Sequence, residues 1–83
     1  MTAMQDGADG PVLRRIEELV SQEHRLHGQE SLSDEDVARL REVRMELDRS
    51  WDLLRQRRAL RGVGQDPDKA QLRSPEIVKK YVQ

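Results

Sequence analysis

From Val37 to Arg58 the chain places a seam residue after alternating steps of three and four: Val37, Leu40, Arg44, Leu47, Trp51, Leu54 and Arg58. Such steps average to one helical turn, so the segment is predicted helical with these positions on one face. An apolar helix face has to be buried against something. In a chain of 83 residues the nearest cover is another helix of the same chain.

The boundaries of that helix are marked locally. Ser33 is a good N-cap, Asp34, Glu35 and Asp36 suit the positive helix end, and Asp36 occupies the capping-box position. Leu32 and Val37 stand where a hydrophobic staple forms. The helix is expected to run to Arg61, with Gly62 as its C-cap. Upstream, Val12, Ile16, Leu19 and Leu26, with Leu13 and Val20 beside them, make a second apolar stripe. Pro11 suits a first helical position with Asp9 or Gly10 as cap, and Gly28 suits the stop. Residues 1–9 read as a flexible arm, 10–62 as a helical hairpin, and 63–83 as a tail. In that tail Asp66-Pro67 and Ser74-Pro75 each resemble a cap followed by a first helical residue, and a short terminal helix is expected. The fold class is all-α, an antiparallel two-helix hairpin with a coiled-coil-like seam, a short first helix and a long second one.

The expected mismatch in length has a consequence. In an antiparallel register Leu26 meets Val37, Leu19 lies near Arg44, Ile16 meets Leu47 and Val12 meets Trp51. The first helix is then used up, and the second projects by roughly ten residues, about 15 Å. This overhang has Leu54 on the seam and Leu53 and Leu60 on the opposite side, so it needs two coverings. The tail, through Ile77, Val78, Tyr81 and Val82, is one candidate; a second copy forming a four-helix bundle is the other.

Composition narrows the functions. Hydrophobic residues are 35% of the chain and charged ones 37%, with one Trp, one Tyr and no Phe. So thin a core favours association with a copy or another protein. No cysteine is present to build a disulfide or thiolate metal site, and a net charge of −1 exerts no global pull on nucleic acid or acidic lipid. Neither a membrane-length apolar run nor the blocks of a signal peptide are seen, so a soluble cytoplasmic protein is expected. His24 and His27 are too few to hold zinc, and no cofactor or small-molecule ligand is expected. Glu23 and Arg44, both placed on the seam, are expected to pair diagonally. Arg55, Arg57, Arg58 and Arg61 complement the negative end of the helix dipole, and as a basic cluster they are also a candidate for nucleic-acid or transcription-complex binding.

Two resemblances add to this. LREVRMELDRSWDLLRQRRAL is similar to the long helix of the all-helical chorismate mutases, in its L-x-x-x-R-x-x-L-D opening and its later Leu-Leu and Arg. That likeness implies a small dianion held between helices, for which Arg44, Arg55 and Arg58 would have to converge. The chain departs from the pattern in having no seam lysine and only a proline-interrupted tail in place of a third helix. WDLLRQRRALRGVGQDPDKAQLR, the preceding helix pair and the closing YVQ resemble a family of small actinobacterial proteins known only as a domain of unknown function. This likeness spans roughly residues 11 to 83 and implies a helical hairpin with a structured tail. The leading expectation is a non-enzymatic protein–protein interaction module, homodimeric or docking on another protein. Its contact surface is expected from Trp51, Leu53, Leu54, Arg55, Arg57, Arg58, Leu60, Arg61, Val78 and Tyr81.

Overall fold

Ser33 initiates the central helix as its spacing predicts. In the computed structural model, which describes the backbone of residues 2–82 and the side chains of residues 9–78, the Asp36 amide donates to the Ser33 hydroxyl at 3.1 Å. The Ser33 amide donates in return to the Asp36 carboxylate at 3.3 Å. This closed capping box starts α2, Asp34–Gly62. Leu32 and Val37 stay exposed, so the start rests on hydrogen bonds rather than on a staple.

The partner helix is longer than expected. α1 spans Thr2–His27, and Pro11 lies inside it rather than at its first turn. Residues 2–9 are therefore part of a helix, and neither Asp9 nor Gly10 is a cap. Proline withholds one ladder hydrogen bond and opposes the turn before it. What offsets this is distant in sequence: Asp9 is buried and bonded to arginines near the end of α2. With 26 and 29 residues the helices nearly match, and the expected overhang does not exist.

α1 and α2 pack antiparallel, as cross-helix bonds show: Asp9 to Arg57, Arg15 to Glu46 and Gln22 to Arg39 run in opposite orders along the two helices. The core joins Ile16, Leu19 and Leu26 of α1 to Leu40, Val43, Leu47 and Leu54 of α2, with Val12, Leu13 and Val20 at its edge. The buried α2 residues on the side of α1 thus step 40, 43, 47, 50, 54, 57, while Asp52, also buried, faces the tail. Leu40, Leu47 and Leu54 hold their predicted seam positions, Val37 is exposed, and Arg44, Trp51 and Arg58 each give way to the residue before. Val43 is 1% exposed while Arg44 is exposed; Ser50 is buried while Trp51 is 43% exposed; Arg57 is buried while Arg58 is exposed. Trp51 is therefore not the core partner of Val12.

α2 ends through three nested turns, with the Val63, Gly64 and Gln65 amides donating to carbonyls of its last turn. Gly64 takes a φ of +75°, the left-handed conformation that reverses the chain at least cost for glycine. The C-cap is thus Val63, one residue beyond Gly62, with Gly64 making the left-handed turn after it. Asp66 accepts from the Asp68 amide and starts a single 3-10 turn, Pro67–Lys69. An extended stretch follows, then α3, Pro75–Val82. Both proline-marked starts stand where the sequence puts them. The 3-10 turn and α3 pack on α2.

Candidate interaction surface

Around the axis of α2, one sector faces α1, a second is strapped by the tail, and the third is open. The strap is made by polar side chains of α2 gripping tail backbone. Arg49 Nε donates to the Arg73 carbonyl and Gln56 Nε2 to the Gln71 carbonyl, both at 2.8 Å. The Gln71 amide donates back to Gln56 Oε1 at 3.4 Å. Asp52, 3% exposed, accepts from Gln56 at 2.8 Å and pairs with Arg73 at 3.5 Å. These bonds satisfy an extended segment that has no ladder of its own. Val78 of α3, buried to 1% exposure, is the apolar anchor of the same strap.

Where the strap meets the hairpin, charges are buried in balance. Arg57 Nε donates to Asp9 at 2.8 Å; its Nη1 donates to Asp68 at 3.0 Å and to the Pro67 carbonyl at 3.4 Å. Arg61 donates to the other oxygen of Asp9. The hydrogen bond to Asp9 leads in raising the Arg57 guanidinium above its ordinary value, against the opposing effect of desolvation and with help from Asp68. Among the described residues no buried side-chain nitrogen or oxygen lacks a partner. Arg57 and Arg61 are thus structural, tying the start of α1 to the end of α2 and to the tail.

The expected contact surface is correspondingly divided. Leu54 and Val78 are interior, and Leu53 and Leu60 are half-buried. Of the arginine cluster, only Arg55 and Arg58 are exposed. The side chain of Tyr81 lies outside the described residues. What remains open is a line along the third sector of α2: Val37, Arg41, Arg44, Asp48, Trp51, Arg55 and Arg58, all exposed. It repeats in steps of four and three and shares Val37, Arg44, Trp51 and Arg58 with the predicted seam, so positions expected to be packed against α1 are left open. Four of its seven members are arginine, one is the only tryptophan, and the lysines lie elsewhere, at 69, 79 and 80.

Arg44 does meet Glu23, at 3.4 Å, and its Nη2 lies 2.8 Å from His27 Nε2; the pair sits at the rim rather than within the seam. Arg55 stands 4.0 Å from Asp52. None of the clefts described is lined by Arg44, Arg55 and Arg58 together, the arrangement that the chorismate mutase likeness implies. The clefts are shallow; the one of about 240 Å³ beside Pro75 has Arg15, Arg39 and Arg49 interleaved with Glu42 and Glu46. Among the described residues no cluster of three His, Cys, Asp or Glu is placed to hold a metal, and no helix is long and apolar enough to cross a membrane.

Fold and surface together define a small all-α hairpin whose second helix is covered on two sides and open on the third. The chain belongs to a family described as a protein of unknown function (DUF2630), whose profile matches residues 8–83. It is similar to the uncharacterized protein Rv0898c of Mycobacterium tuberculosis strain H37Rv, at 45% identity over 78 residues covering 88% of each chain. The uncharacterized protein Mb0922c of Mycobacterium bovis matches to the same extent. No solved structure matches.

Proposed function

We propose that this protein is a non-enzymatic docking module, acting in the cytoplasm, that binds another protein through the open sector of α2. Trp51 carries the proposal. A tryptophan 43% exposed in mid-helix, lined up with Arg41, Arg44, Arg55 and Arg58, is left partly open by the other described residues. Protein interfaces are enriched in tryptophan and arginine and depleted in lysine, and their strongest contacts concentrate on the first two. Burial of the indole supplies affinity, while the arginines steer and orient the partner. The proposed docking surface keeps Trp51, Arg55 and Arg58 of the expected contact set and gives up Leu53, Leu54, Arg57, Leu60, Arg61 and Val78, which are buried or half-buried.

Association with a second copy through this stripe is opposed by charge. A parallel two-fold pairing sets every residue against itself. An antiparallel one centred near Asp48 sets Arg41 against Arg55 and leaves Asp48 facing Asp48. A heterologous partner escapes both.

Site-specific photo-crosslinking in the native cell tests the proposal. A photoreactive residue at position 55 or 41 of the full chain is expected to yield a discrete adduct, lost on Trp51→Ala, whereas one at Glu35 is not. Adducts of equal yield from all three positions, or none from 55 and 41, would remove the docking surface. A product of twice the chain's own mass would replace it with self-association.

A further inference from the structure

Resting on that docking reading, we infer that the occupant of the open sector is an amphipathic helix of a partner protein, carrying two acidic pairs two heptads apart with an apolar residue between them. The geometry of the stripe gives each part. Arg41 and Arg44 lie one turn apart near its start, Arg55 and Arg58 one turn apart near its end. The two pairs are separated by fourteen residues, about 21 Å of helix rise. Trp51 stands between them, and Asp48 one turn before it.

A helix is favoured over an extended segment because α2 satisfies its own backbone and offers no edge to pair with. A partner laid on the tryptophan must therefore bring its backbone already bonded. A helix beside α2 also matches the four–three spacing of the stripe. Charge complementarity then assigns acids opposite the arginine pairs, an aliphatic residue opposite Trp51, and a neutral or basic residue opposite Asp48.

A polyanion fits less well. Over the same 21 Å a nucleic-acid duplex presents about a dozen phosphate charges. Against them the stripe sets arginines in two separated pairs, with Asp48 between. There is one aromatic ring to stack on, and the chain as a whole is net negative.

The only tryptophan lies in the proposed contact, so its emission reports occupancy of the full chain directly. The probe is a stapled synthetic helix of about 21 residues, with glutamate pairs two heptads apart around a central leucine. Three controls accompany it: glutamine in place of the glutamates, the pairs moved one heptad closer, and an oligothymidylate. The acidic helix is expected to shift Trp51 emission to the blue and saturate. Affinity should fall about tenfold with the glutamine helix, with the displaced pairs, and with the double variant Arg55→Glu/Arg58→Glu. A helix with lysines replacing only the glutamate pair that faces positions 55 and 58 should recover binding to that variant, which a merely structural role of the arginines would not allow.

If the glutamine helix binds as tightly as the glutamate one, acidic recognition is overturned while docking at Trp51 stands. Binding of the oligothymidylate alone would overturn both in favour of nucleic acid. If nothing shifts the emission, the acidic helix is overturned, and the photo-crosslinking pattern independently decides the docking surface.

Discussion

Asp9 shows how one side chain sets the length of a helix. Its two oxygens take Arg57 and Arg61, and its side chain is 10% exposed. Removing it leaves a buried guanidinium short of its main partner, a change that typically costs 3–5 kcal/mol. Here Asp68 and the Pro67 carbonyl still hold Arg57, so Asp9→Ala is expected to cost about 2–3 kcal/mol. Asp68→Ala, truncating a side chain 78% exposed, should cost under about 1 kcal/mol. Urea unfolding followed by circular dichroism separates the two; equal losses would mean that Asp9 does not anchor the extended start of α1. The pH dependence has a definite sign. Because the Arg57 pKa is raised on folding above the ordinary guanidinium value, chiefly by its hydrogen bond to Asp9, its contribution is fully present below that ordinary value. It is lost only as the pH rises through the higher folded value, so across ordinary pH the arginine stays charged and paired.

At the level of the helices, the leucines at 40, 47 and 54 serve two different seams equally well. One runs through Arg44, Trp51 and Arg58, the other through Val43, Ser50 and Arg57; burying the large indole favours the first, and burying Val43 rather than Arg44 favours the second. The packed chain selects the other, placing the small Ser50 between the helices and the indole outside. Leu54→Ala is therefore expected to cost about 2–5 kcal/mol and Trp51→Ala less than about 1 kcal/mol, read from urea midpoints at unchanged slope. The reverse order would restore Trp51 to the core. Features whose partners are near in sequence were legible: the Ser33–Asp36 box, the starts at Pro67 and Pro75, the all-α hairpin itself. Those decided across the hairpin were not. Asp9 lies 48 residues from Arg57, and the Asp9-Gly10-Pro11 triplet has local chemistry that points to a helix start. The open stripe was hidden for the same reason, since exposure of Trp51 follows from a rotation of α2 that only α1 fixes.

For the molecule as a whole, α2 is the spine on which α1, the 3-10 turn and α3 are mounted. The outline is correspondingly long and flat, with principal extents of 48 × 29 × 15 Å and a radius of gyration of 15.0 Å, against about 12 Å for a compact domain of this length. The hairpin is held by a continuous apolar core, whereas the strap is held by a few polar bonds and Val78. Unequal cohesion predicts that the tail opens as a unit at lower free energy than the hairpin unfolds. Gln56 is the place to test this, because its amide group both donates to and accepts from the backbone of Gln71. Losing two bonds worth about 1 kcal/mol each should speed tail opening by roughly 5- to 30-fold. In Gln56→Ala, hydrogen exchange at the Ala70 and Val78 amides, bonded to Pro67 and Ser74, should accelerate by that factor. Amides of Leu19 and Leu47 should keep their rates. Acceleration at all four sites would show that strap and hairpin unfold together. Acceleration confined to the tail means the strap can loosen while the hairpin stays folded, and with it the register that holds Trp51 outward.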